Sequence, residues 1–105
     1  MAADPAVIEA VEARPGASGW TFSVTLRHDD TGWEDYADGW RVLAPDGTVL
    51  GTRVLVHPHV NEQPFTRSLA NVDIPRDIRE VAIEASTRVE GWSGTSVPFT
   101  LPADE

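Results

Sequence analysis

The chain contains no cysteine and no lysine. Without thiols it can form no disulfide, thiolate zinc site or iron–sulfur cluster, and it has no cysteine nucleophile. A packed core must therefore hold it together alone. All eight basic residues are arginine, which reads as genome composition and implies no site. Long apolar runs are also missing: the longest aliphatic stretch is Val54-Leu55-Val56, against the ~20 residues of a membrane-spanning helix. Met1-Ala2-Ala3-Asp4-Pro5 shows neither a basic n-region nor an apolar h-region, so the expected placement is cytoplasmic. Asn61-Glu62-Gln63 and Asn71-Val72-Asp73 miss the N-glycosylation pattern. There is no G-x-S-x-G, phosphate-binding loop, H-E-x-x-H or dinucleotide fingerprint, and the reading is non-enzymatic.

What is present describes an acidic globular domain. The 105 residues fit one domain spanning 1–105, with 1–5 and 102–105 as loose ends, and 41% hydrophobic with 24% charged residues is ordinary for a folded core. Seventeen acidic residues against eight basic ones give a net charge of −9. That surface repels phosphate backbones and anionic lipid, which argues against nucleic-acid and membrane partners.

Alternation with period two dominates the chain. Trp20, Phe22, Val24 and Leu26 share one parity, with Thr21, Ser23, Thr25 and Arg27 on the other, the pattern of a strand with one face in a core. Further strands are expected at 6–13, where Val7, Val11 and Ala13 share a parity with Glu9, and at 36–44, where Tyr36, Trp40 and Val42 share one with Asp38. Pro45-Asp46-Gly47-Thr48 is a turn that joins 36–44 to 48–57 as a hairpin. Strands at 65–71, 81–89 and 95–101 complete the set. Pro98 cannot donate to a ladder, which places the last strand at an edge or a bulge. No segment carries ten residues of helical periodicity. Seven short strands separated by Gly, Pro and Asp turns predict an all-β, antiparallel β-sandwich.

The stretch Val81-Ala82-Ile83-Glu84-Ala85 through Gly91-Trp92-Ser93-Gly94 to Val97-Pro98-Phe99-Thr100-Leu101 resembles the closing hairpin of immunoglobulin-like and fibronectin-type-III-like domains. Trp40 sits where such domains often keep a core tryptophan, although the disulfide of antibody domains is absent. The resemblance implies an immunoglobulin-like sandwich. The segments Thr31-Gly32-Trp33, Tyr36-Ala37-Asp38-Gly39-Trp40 and His57 to Leu69 also resemble a small uncharacterised bacterial family, which implies no activity.

If each strand crosses the sandwich once, connections alternate between its two ends. Loops 14–18, 45–47 and 71–78 then share one end and loops 29–35, 58–64 and 90–94 the other. The second group carries or adjoins His28, His57, His59, Trp33 and Trp92, with Asp29, Asp30, Glu34, Asp35 and Glu62. Two readings of this end follow. In the first, it is the working surface of a non-catalytic interaction or ligand-binding module: Trp33 and Trp92 supply apolar contact, and Asp29, Asp30 and Glu34 favour a cationic protein or small ligand. Both tryptophans can instead fold back as lids on the core. In the second, His57-Pro58-His59 places two imidazoles on one side of an extended strand, where they can share Zn²⁺ or Cu²⁺ with His28 or Glu62. The competing structural role is bonding of both rings to loop carbonyls or nearby acids. The acidic loop misses the calcium-loop spacing and reads as a solvated turn with Asp29 or Asp30 in an Asx-turn. Ser93 with a histidine, or Asp30 with Glu34, gives no convincing catalytic set without a deep cleft. The first and last strands offer edges for pairing, so the chain is expected as a monomer or a homodimer.

Overall fold

A computed structural model describes residues 5–102; the loose ends expected at 1–5 and 102–105 lie almost wholly outside that range. Seven strands follow in order: β1 (Val7–Gly16), β2 (Gly19–Arg27), β3 (Ala37–Leu43), β4 (Val49–Val54), β5 (Phe65–Val72), β6 (Glu80–Thr87) and β7 (Gly91–Thr100). They form a three-stranded sheet, β1-β2-β5, and a four-stranded sheet, β4-β3-β6-β7, with every neighbour antiparallel. The molecule is an all-β sandwich. Among the described residues no helix is long and apolar enough to cross a membrane.

The alternation read from sequence builds the core directly. Phe22, Val24 and Leu26 of β2, Trp40 and Val42 of β3, and Val81, Ile83 and Ala85 of β6 are all buried and form one cluster with Phe65 and Val72. Phe22 meets Phe99 edge to face, with ring centroids 6.2 Å apart, and so ties the two sheets together. The outward face of the β2–β5 pair is polar, and hydroxyls join Ser23 to Ser68 (2.8 Å) and Thr25 to Thr66 (2.7 Å). The 45–48 turn forms as its residues require. The Asp46 carboxylate accepts from the Thr48 backbone N–H (2.9 Å) and Gly47 takes φ 92°. These Thr48 bonds hold the Asp46 pKa below its ordinary value.

Two expectations need correction, and one choice that the alternation leaves open is settled. In β1, Ile8 opposes Leu26 and Ala10 opposes Thr25, so Glu9 bulges out. The bulge breaks the parity: Ile8 packs on the core and Val7 is exposed. The Glu9 carboxylate binds Arg27 at 2.6 Å. In β4, alternation did not indicate which face is buried. Gly51 faces inward because a side chain there would come within 3.0 Å of Leu69 and 3.3 Å of Val72; Thr52 and Val54 are exposed. In β7, the strand begins at Gly91 instead of residue 95, since Thr87 opposes Gly91 and Ser86 opposes Trp92. Gly91-Trp92-Ser93-Gly94 is therefore part of the ladder and not a loop. Pro98 does sit on an edge strand.

Candidate functional site

The end predicted to gather the histidines exists. Leu26 opposes Phe65, Gly39 opposes Val54, and Ala37 opposes Thr87, so the connections after β2, β4 and β6 leave the sandwich on the same side. The Arg88 backbone N–H donates to the Tyr36 carbonyl (2.8 Å), drawing the third connection against the first.

At the centre of this end lies Asp30, whose side chain is wholly buried. Its Oδ1 accepts from His28 Nδ1 (2.7 Å) and from the Ala37 backbone N–H (3.0 Å). Its Oδ2 accepts from the His59 backbone N–H (2.8 Å). One carboxylate thus joins the end of β2, the start of β3 and the 55–64 connection. Gln63 adds a second tie: its Oε1 accepts from the His28 backbone N–H (2.9 Å) and its Nε2 donates to the His59 carbonyl (3.0 Å). Asp30 was expected at the surface as an Asx-turn or partner contact; the structure makes it an internal staple. Gln63 carried no signal in the sequence, because a glutamine in a polar loop looks like any solvated residue.

The staple presents a shaped surface. Gly32 and Asp35 bridge each other, with the Thr31 backbone N–H donating to the Asp35 carbonyl (3.0 Å), and this tight turn carries Trp33. The Trp33 ring stands edge to face against Tyr36 with centroids 5.8 Å apart and remains 65% exposed. Between Trp33 and the facing residues His57, Pro58, Val60 and Glu62 runs an open cleft of about 570 Å³. Val60 is exposed at its rim. Asp29 and Glu34 are exposed as expected.

The four proposed metal ligands are divided. His57 and His59 do face each other, with ring centroids 4.6 Å apart. His28 is buried against Asp30, with Nε2 3.7 Å from Asp35 Oδ1. Glu62 pairs with Arg67 at 3.2 Å. Among the described residues no group of three or more metal-ligating side chains converges. His59 itself is 5% exposed and stacks flat on Phe65 at 3.9 Å. Neither of its ring nitrogens has a hydrogen-bond partner, and Nδ1 is 3.9 Å from Asp30 Oδ2. Burial pushes its pKa below the ordinary value, helped by the Arg67 and His57 charges and opposed by Glu62 and Asp30.

Trp92 does not join this group. It lies on the outer face of the four-stranded sheet, in van der Waals reach of where a Gly39 side chain would stand. The Arg41 guanidinium sits 4.0 Å above its ring. Arg41 in turn meets Glu84 Oε1 through Nη2 (2.7 Å) and Nε (2.9 Å), and Glu84 Oε2 accepts from the Gly94 backbone N–H (2.7 Å). The ring that was expected to cap the core or project from a loop instead roofs a strand-to-strand ion pair.

No family model matches the chain, and no solved structure matches it significantly. A protein of Halomicrobium mukohataei named "Putative lipoprotein" is 35% identical over 91 residues. The match takes in 87% of this chain and 44% of that protein, so the chain spans less than half the length of the curated relative it resembles.

Proposed function

We propose that the domain is a non-catalytic binding module whose working surface is the Trp33 cleft. The observation that carries this reading is a mismatch of investment. A buried carboxylate and Gln63 tie two loops rigidly together, yet the product is a large aromatic ring left two-thirds in water beside a concave surface. With exposed Val60 across the cleft, the ring is part of a contiguous apolar surface, the kind that marks a contact site. The strand order β1-β2-β5 against β4-β3-β6-β7 supports an immunoglobulin-like or fibronectin-like scaffold, whose end loops serve as contact sites in many settings. The relative's name supports an exported, lipid-anchored context in place of the cytoplasm.

The test is comparative capture. Immobilised wild-type chain and a Trp33→Ala variant are exposed to an envelope extract of the producing cell, with circular dichroism showing that both are folded. At least one component retained by the wild type and lost by the variant is expected. Identical captures would remove Trp33 from any working surface.

A further inference from the structure

We infer that the end of the sandwich opposite Trp33 carries a second, separate site, a cavity of about 320 Å³ that takes a small organic acid: a carboxylate on an apolar body. Its walls are Trp20 at the start of β2, Ile74 and Ile78 of the β5–β6 connection, and Leu101 just past β7. Among the described residues that line it, Arg76 and Arg79 alone are charged.

The backbone fixes this arrangement. The Ile78 N–H donates to the Pro75 carbonyl (3.0 Å) and closes a turn with Arg76 at its second position. The Leu101 N–H donates to the Arg79 carbonyl (2.9 Å), which holds the chain beyond β7 against the approach to β6. All four wall residues also pack on the hydrophobic core, so the walls are held from beneath and cannot simply fold together over the space.

The two guanidiniums select the charge. Arg27, Arg41 and Arg67 each meet a carboxylate, whereas Arg76 and Arg79 form no ion pair among the described residues. Asp73, Asp77 and Glu80 alternate with them along the chain, yet none of the three lines the cavity. Glu80 faces a different groove, beside Ser96 and Pro98. Two like charges at one mouth repel each other, and an anion placed between them replaces repulsion with attraction. A planar carboxylate presents two oxygens to the N–H fork of a guanidinium. The net charge of −9 does not prevent this, because at about 0.1 M ionic strength the Debye length is about 10 Å and distant acids are screened.

The walls select the body. An inorganic anion would satisfy the arginines and leave the indole and aliphatic surface in water. A neutral apolar molecule would cover that surface and leave the guanidiniums without a counter-charge. Mostly apolar lining with a few convergent polar groups is the usual composition of a small-molecule site, and the volume lies at the small end of the range of about 300–1,000 Å³.

The experiment titrates isotope-labelled full chain, at about 0.15 M ionic strength, with phenylacetate, with phenylacetamide as its neutral counterpart, and with inorganic phosphate. Saturable shifts are expected with phenylacetate at the Trp20 indole N–H and at the amides of Ile74, Arg76 to Arg79 and Leu101. Phenylacetamide and phosphate should each bind there about tenfold more weakly or worse. Arg76→Gln and Arg79→Gln, both at exposed positions, should each weaken phenylacetate severalfold. Equal binding of phenylacetamide would overturn the selection of charge, and equal binding of phosphate would overturn the apolar body. Absent shifts, shifts confined to other residues, or binding seen only in an Asp104→Asn/Glu105→Gln variant would overturn the site. None of these outcomes bears on the Trp33 cleft.

Discussion

Asp29 and Asp30 are adjacent, identical in type and opposite in role. Asp29 is exposed, whereas Asp30 is sealed inside and accepts three hydrogen bonds from three segments. Nothing in the local sequence separates them, because the loop has no period that marks one position as inward. The energetics separate them sharply. Asp30→Ala strands the His28 ring donor and two backbone donors, and removing one partner of a buried charged network costs about 3–5 kcal/mol. Asp29→Ala should stay within about 0.5 kcal/mol. Urea unfolding of the two variants checks this directly; similar midpoints would mean that the Asp30 bonds do not hold the loops.

His59 makes the second prediction at this scale. Its pKa in the fold lies below the ordinary 6.5, because burial disfavours the imidazolium. The unfolded chain then binds the extra proton first, and the unfolded state gains as pH falls. Stability contributed by neutral His59 is complete above 6.5, declines as pH drops through that value, and stops declining below the folded pKa. His59→Phe keeps the flat stack on Phe65 and the backbone bond to Asp30 but has nothing to protonate. Denaturation followed across this window should show a shallower loss in the variant; parallel curves would assign the acid sensitivity to other groups.

At the scale of elements, legibility depended on whether the backbone stayed regular. In β2 and β6 the apolar residues keep one parity, so Phe22, Val24, Leu26, Val81, Ile83 and Ala85 were readable as core, while the burial of Glu84 and Ser86 on the other face of β6 was not. A single extra residue defeats the same logic. The bulge at Glu9 exchanges the faces of β1, and its cause is the register against β2, which no local pattern records. β7 hid its first half for a different reason. Gly91 and Gly94 both take positive φ, 72° and 77°, which marks turns in most chains. Here the irregular register between Glu84 and Ser86 absorbs them, and the Glu84 carboxylate accepts the Gly94 N–H. Because that pairing is long-range, Trp92 could not be placed from sequence on a sheet face over Arg41. The strand count survived these local errors, and so did the gathering of His28, His57, His59 and Trp33 at one end. What joins them, Asp30 and Gln63, is polar residues inside polar loops, where composition carries no trace of burial.

For the whole molecule, the net charge of −9 acts on the fold as well as on partners. The described molecule extends 44 × 25 × 18 Å. At about 0.01 M ionic strength the Debye length is about 30 Å, so carboxylates on opposite faces still repel one another. At about 0.1 M it shrinks to about 10 Å, and only near neighbours interact. Salt also weakens the ion pairs, but Arg27–Glu9 and Arg67–Glu62 are partly exposed, and such pairs contribute only about 0–1 kcal/mol each. With seventeen acids facing eight arginines, relief of self-repulsion outweighs that loss. Raising sodium chloride across this range should therefore increase Tm, and most of the gain should come while the Debye length is still comparable with the thickness of the sandwich. A Tm that falls with salt would show that screenable exposed pairs such as Arg27–Glu9 outweigh the self-repulsion, because Arg41–Glu84, partly covered by Trp92, is the less screened pair.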